Sequence, residues 1–358
     1  MTLRKTQPPP ARDRPRGLVL RTRGGLSVRA DLGSALVVVL LLLLALAVGV
    51  VLVGTGDYPL SPAEVLRTLA GNGTVAQEFI VRDLRLPRVL VALLVGVALG
   101  LAGAAFQAVS RNPLGSPDVI GFGQGSAAGA LTVIVLFQGS SFAVAGGAVV
   151  GGLLTGVGVY ALAWRGGIHG YRLVLVGIGI AAMLSAVNGY LLTRADIVDA
   201  ARAVLWLTGS LNGRGWDEFW PLLAACAVLV PVALSQARPL RMLEMGDEAA
   251  GALGVRVERT RLVLVLAATL LTATATAAAG PIAFVALTAP QLARRLTRAT
   301  GPNLLPAAFM GALLMVASDY LAQWAFGDRQ LPVGAVTGVL GGGYLLWLLF
   351  TERKAGRI

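Results

Sequence analysis

Long apolar runs separated by short polar interruptions set the pattern of this chain. They fall at about 33–54, 89–109, 119–137, 143–164, 173–193, 218–235, 262–279, 282–293, 304–325 and 332–350. A helix needs about 20 apolar residues to cross roughly 30 Å of hydrocarbon, and most of these runs reach that length. Two are weak: 119–137 is rich in glycine, and 282–293 is too short for a regular crossing. The short run lies between Gly280-Pro281 and Pro290, which predicts a broken or re-entrant helix. Such backbone is tolerated at membrane depth only where protein or a cavity surrounds it. The pattern predicts an all-α polytopic membrane protein of about ten transmembrane helices, with inverted-repeat character.

The longest polar segment between two strongly apolar runs is Gln236 to Arg261. There Arg238, Arg241, Arg256, Arg259 and Arg261 alternate with Glu244, Asp247, Glu248 and Glu258 among Leu, Met, Ala and Val. Mixing at helical spacing suits one or two short amphipathic helices on a membrane surface or against a partner. Gly246, Gly251 and Gly254 are placed to break or turn them. A solvated loop between two spans is the plain alternative.

Composition strengthens the membrane reading. The chain is 56% hydrophobic and 13% charged, with a mean hydropathy of +0.75, whereas soluble domains carry roughly 25% charged residues. The net charge of +12 sits in the segments between apolar runs, so topology explains it better than nucleic acid does. With the N-terminus inside and ten crossings, 22 of the 30 Lys/Arg fall on the cytoplasmic side and 8 outside. This is the positive-inside asymmetry, and it puts segment 236–261 and both termini in the cytoplasm. Residues 1–30 carry eight Lys/Arg and little apolar periodicity. They read as a disordered basic tail on anionic headgroups, ahead of a membrane domain at 31–358.

Catalytic chemistry finds little material. His169 is the one histidine and Cys226 the one cysteine, so neither a histidine metal cluster nor a disulfide is available. The chain lacks both HExxH and a GxxxxGK[ST] phosphate loop; if ATP drives the protein, another chain hydrolyses it. Asp319, inside the run 304–325, is a functional candidate by default. With no charged partner inside the spans, it is expected to cap a neighbouring broken helix. Gly96/Gly100, Gly147/Gly151 and Gly152/Gly156 are GxxxG steps, expected to let helices approach closely.

Three polar patches remain. Arg82, Arg85 and Arg88 precede the second run on the side where arginine is disfavoured, and they suit either an acidic partner surface or headgroup snorkelling. Pro87 fits the first turn of the helix that follows them. Ser110-Arg111-Asn112-Pro113-Leu114-Gly115-Ser116-Pro117 is a tight turn in which Asn112 can bond freed backbone. Trp206, Trp216 and Trp220 lie in or beside the external loop 194–217. Interfacial tryptophans are ordinarily anchors, although Trp206 sits in a stretch that suits a vestibule mouth.

The stretches RLPRVLVALLVGVALGLAGAAFQAVSRNPLGSPDVIGFGQGSAAGA at 85–130, GPIAFVALTAPQLARRL at 280–296 and LPVGAVTGVLGGGYLLWLL at 331–349 occur in one order. Together with LEMGDEAAGALGV at 243–255, they resemble the permease subunits of ABC importers for ferric siderophores and cobalamin. The resemblance covers nearly everything from Arg85 to Leu349 and leaves out the tail and the first helix. WLTGSLNGRGW at 206–216 is closer to the siderophore members.

That resemblance implies a pair of permease chains, with a paralogue favoured over an identical copy. It implies two cytoplasmic ATPases that hold ATP and magnesium, and a siderophore-binding protein on the outside. No cofactor is expected in this chain, and no covalent chemistry. ATPase coupling maps to Leu243, Gly246, Glu248, Gly251 and Gly254, binding-protein docking to Arg85 and Arg88, and a cytoplasmic gate to Asn112 and Leu114. A second gate element falls near His169-Gly170, where the match is poor. Glu248-Ala249-Ala250 followed by Gly254 matches the start of the EAA signature of other importers, without the Ile-x-Leu-Pro that completes it. Gln291 stands where many relatives have histidine. The alternatives are a cobalamin or haem permease of the same family, or an ion-coupled secondary transporter working alone.

Overall fold

The computed structural model describes residues 18–21, 27–30, 32–164, 167, 170–299, 301–325 and 330–354. Two short strands are described within the basic N-terminal segment. β1 (Leu18–Arg21) and β2 (Ser27–Ala30) pair antiparallel, Leu18 opposite Ala30 and Arg21 opposite Ser27. The rest of residues 1–17 lies outside the described residues.

Among the described residues, the other regular elements are helices. α1 (Leu32–Gly54) is an unbroken Leu/Val run of 23 residues, about 35 Å long at the α-helical rise. Outside it, α2 (Pro62–Leu69) starts at a capping box made by Ser61 and Glu64, and α3 (Val75–Glu78) at one made by Thr74 and Gln77. α3 then runs without a break through a π-helical stretch, Phe79–Arg85, into α4 (Leu86–Ser110). Pro87 is in the first turn of α4 as expected, with helical backbone continuing ahead of it through the π-helical stretch. Its missing N–H falls just after a widened turn, a common place for the ladder to absorb a proline.

The remaining helices are α5 (Phe122–Phe137), α6 (Ser141–Ala163), α7 (Gly170–Arg194), α8 (Ile197–Leu207), α9 (Trp216–Ser235), α10 (Ala237–Leu243), α11 (Asp247–Ala252), α12 (Val257–Ala279), α13 (Val285–Thr297), α14 (Leu304–Trp324) and α15 (Val333–Lys354). Among the described residues, seven helices, one of them the continuous Val75–Ser110, are long and apolar enough to cross a membrane. α5 and α15 carry shorter apolar stretches, Phe122–Phe137 and Val333–Leu348. α13 has 13 residues, about 20 Å. Counted with α13, these elements match the ten apolar runs.

α4 is the central post. Of the most apolar stretch in each helix, 78% is buried in Val75–Ser110, 67% in α12 and 61% in α14, against 17% in α7 and 22% in α9. Small residues bring α4 against α14 and α13. A side chain at Gly96 or Gly100 would collide with the Gly311 or Ala307 backbone of α14, and one at Gly103 with Ala286 of α13. Gly125 and Gly129 on α5 meet Gly147 and Gly151 on α6 in the same way. Gly152 and Gly156 turn toward Ala273 and Thr269 on α12. The GxxxG steps are thus packing surfaces, as lipid requires when apolar burial alone gives no preference for protein over tails.

The predicted break between α12 and α13 is present. α12 ends on Gly280 at φ +74°, and Phe284 just before α13 is also left-handed at φ +69°. Gly280 and Ile282 are buried in the break, Pro281 and Phe284 are half-buried and Ala283 is exposed, while α13 itself is buried from Val285 to Gln291.

Candidate functional site

On the arginine-rich side, the polar segment 236–261 forms α10 and α11, two short helices joined by Glu244, Met245 and Gly246. Gly246 (φ +112°) and Gly254 (φ +85°) make the turns, whereas Gly251, also expected to break the chain, lies inside α11. Leu240, Leu243 and Ala250 are buried and hold the pair to the bundle. Leu243, expected among the ATPase contacts, is only 3% exposed, so its side chain is an anchor, because it is on the bundle-facing side of α10. Glu248, Gly251 and Gly254 are exposed, together with the apolar Met245 and Leu253. Nothing lies within 4 Å of where a side chain would sit on Gly246, Gly251 or Gly254. The outward face is small, partly apolar and open.

Beside it, Arg111 ends α4 in a left-handed conformation, φ +52°. Its Nη2 donates to the Leu243 carbonyl at 2.7 Å and to Asp247 Oδ1 at 2.5 Å. Arg261, in the first turn of α12, donates to both oxygens of the same carboxylate at 2.9 Å. Arg261 also pairs with Glu258. Arg111 and Asp247 are 136 positions apart, so no local pattern announces their contact.

The turn after α4 is built as its residues suggest. Asn112 Oδ1 accepts the Leu114 N–H at 2.9 Å and the Asn112 carbonyl accepts that of Gly115. Leu114 is left exposed. Gln291 donates to the Pro113 carbonyl at 2.9 Å and so joins this turn to α13. Gly170, the first residue of α7, approaches the Ser110 backbone too closely for any side chain. His169 lies outside the described residues. Farther along, the Asp118 carboxylate accepts the Phe284 N–H ahead of α13, a contact that no local pattern announces.

On the opposite side, Arg85 and Arg88 face inward. Arg85 donates to the carbonyls of Val53 and Tyr58, both at 2.9 Å. Arg88 grips Asp319 at two points, Nε to Oδ2 at 3.0 Å and Nη2 to Oδ1 at 2.7 Å. Its Nη1 reaches Asn212 at 2.8 Å and Gln330 at 3.4 Å. Asp319 is therefore not a helix cap without a charged partner. The helix of Arg88 begins at Val75, well before the apolar run, and carries Arg88 alongside α14. A cavity of about 380 Å³ opens there, lined in part by Asp57, Arg85, Arg88, Arg214, Gln323 and Gln330.

The tryptophans separate by role. Trp206 on α8 is half-buried against a small cluster containing Leu131, Ile134 and Ala203. Trp216 and Trp220 stack on α9 with centroids 5.9 Å apart, and Trp220 is left exposed. Among the described residues, no three His, Cys, Asp or Glu side chains are grouped to hold a metal ion. The chemistry on offer is ion pairing and mechanical contact.

The profile of the FecCD transport family matches residues 37–351. The chain is 48% identical over 300 residues to the ferric enterobactin transport system permease protein FepG of Escherichia coli, covering 84% of this chain and 91% of that one. It is 37% identical over 303 residues to the iron(3+)-hydroxamate import system permease protein FhuG of Bacillus subtilis, covering 82% and 90%. A solved inward-facing metal-chelate type ABC transporter superposes with a TM-score of 0.78 at 28% identity, over 88% of this chain and 99% of that chain. A multi-pass helical bundle with these matches along nearly its whole length belongs to the FecCD transport family.

Proposed function

We propose that the chain is a permease subunit of an ABC importer that moves ferric siderophores across the cytoplasmic membrane by ATP-driven alternating access. The observation that carries this reading is the open face of α10 and α11. Glu248, Gly251, Gly254, Met245 and Leu253 are presented on the arginine-rich side, fixed to the bundle by Leu243 and Ala250. Exposed apolar groups rimmed by charge favour a protein partner, and a separate ATPase is the partner that fits. The siderophore assignment rests on the relatives, FepG above all.

In this arrangement both termini and α10–α11 are cytoplasmic, in line with the charge asymmetry. Two ATPases bind ATP and magnesium below. A second permease chain, a paralogue by preference, completes the conduit between subunits. A binding protein delivers the chelate to the opposite side and docks at the cavity mouth beside Arg85 and Arg88. Asn112 and Leu114, on the turn joined to α13 through Gln291, form the inner gate.

Reconstitution in liposomes with the ATPase, the second permease and the binding protein tests the reading. Ferric enterobactin should accumulate only with ATP, and a Walker-lysine variant of the ATPase should abolish uptake. Uptake that persists without the ATPase and collapses with the ion gradient would establish a secondary transporter instead.

A further inference from the structure

The Asp247 carboxylate holds two helix ends at once. Arg111, the residue that ends α4, and Arg261, in the first turn of α12, both donate to it. The two limbs differ in surroundings. The side chains of Arg111 and Asp247 are 46% and 44% exposed, whereas that of Arg261 is 7% exposed. A pair in water gains little and exchanges easily. A cation held in the protein interior is strongly penalised when its partner leaves. The Arg261 limb therefore fixes Asp247 to α12, and the Arg111 limb is the one that can open and close.

Arg111 also donates to the Leu243 carbonyl at the end of α10. The next residue, Asn112, shapes the turn whose Pro113 carbonyl receives Gln291 from α13. We propose that Asp247 and Arg111 are the linkage through which movement of α10–α11 reaches this turn, with Arg261 as its fixed anchor. The inference rests on the reading of α10–α11 as the ATPase contact. Glu248 meets the partner; Asp247, one position earlier and turned toward the bundle, passes the displacement on. With the Arg111 limb intact, a shift of α11 carries the end of α4 and Asn112 with it. With that limb cut, α11 moves and the turn does not follow.

The test uses the complete importer in proteoliposomes, with ferric enterobactin accumulated per ATP hydrolysed as the readout. Arg111→Gln should lower that ratio by about fivefold, the scale of coupling changes produced by residues that touch neither ligand. ATPase co-purification and binding-protein-stimulated hydrolysis should stay near native. Arg111→Lys, which keeps the charge, should recover much of the ratio. If Arg111→Gln does not assemble, Arg111→Met, which cuts the same limb and leaves the Arg261 anchor in place, carries the same test. A native ratio in the variant that assembles overturns the linkage, as does a Gln variant no worse than the Lys variant. The parent reading fails separately, if the native chain retains no ATPase at all.

Discussion

Arg88 and Asp319 stand 231 positions apart and close a two-point ion pair between α4 and α14, with the carboxylate 1% exposed. Its geometry is the planar fork that suits guanidinium and carboxylate. Asn212 and Gln330 take the remaining Nη1 contacts, so one arginine joins two helices and two outer loops.

Removing one member of this pair should be costly. Arg88→Ala leaves Asp319 buried without its cation, a loss of about 3–5 kcal/mol. Replacing both, as Arg88→Met with Asp319→Leu, should restore much of that stability. Thermal unfolding in detergent reads the difference. A double variant as unstable as the single one would show that the pair is not the source of the loss.

Leu243 and Glu248 should separate folding from coupling. Leu243→Ala opens a cavity under α10 and should cost about 2–5 kcal/mol of stability. Glu248→Arg lies on the open face and should leave the melting temperature within about 1 °C, since surface changes usually stay within ±0.5 kcal/mol. It should nevertheless abolish ATPase capture in a co-purification assay. Retained capture would remove Glu248 from the contact.

The helix contacts of α4 predict a sharp positional contrast. Gly100→Leu drives a side chain into the Ala307 backbone and should prevent recovery of a monodisperse protein, being far beyond the roughly 1–3 kcal/mol of ordinary overpacking. Gly158→Leu on α6 meets nothing within 4 Å and should be recovered at native yield. Equal yields would contradict the packing of α4 on α14.

The proposed docking at Arg85 predicts a salt signature. Arg85→Glu should weaken binding-protein affinity, and the native affinity should itself fall between about 0.1 M and about 1 M salt as the screening length drops from about 10 Å to about 3 Å. Affinity insensitive to both the substitution and the salt would leave Arg85 with its structural role of tying α4 to the end of α1.

Gln291 gives a last prediction. Gln291→Leu strips the Pro113 carbonyl of its donor, which should cost about 1–3 kcal/mol if the site stays dry. The turn at Asn112 should then lose hydrogen-exchange protection before the rest of α4. Unaltered protection would mean that Asn112 holds the turn without α13.

Apolar blocks had to become buried or lipid-facing helices, since hydrocarbon offers backbone amides no other partner. That was legible in the sequence alone, together with the broken helix between Gly280 and Phe284, the GxxxG packing and the Asn112 turn. The family was legible too, because its longest matching stretches are contiguous. Contacts between distant positions were not. Asp319 looked alone until α4 carried Arg88 beside it, and Leu243 looked like a contact until α10 turned it inward. The reach of Arg111 to Asp247 also depends on how α4, α11 and α12 converge. Hydropathy is a property of each segment and survives in the bare chain. Which charge meets which is settled only when helices pack, because the cost of burying an ion selects partners by distance in space and not along the chain.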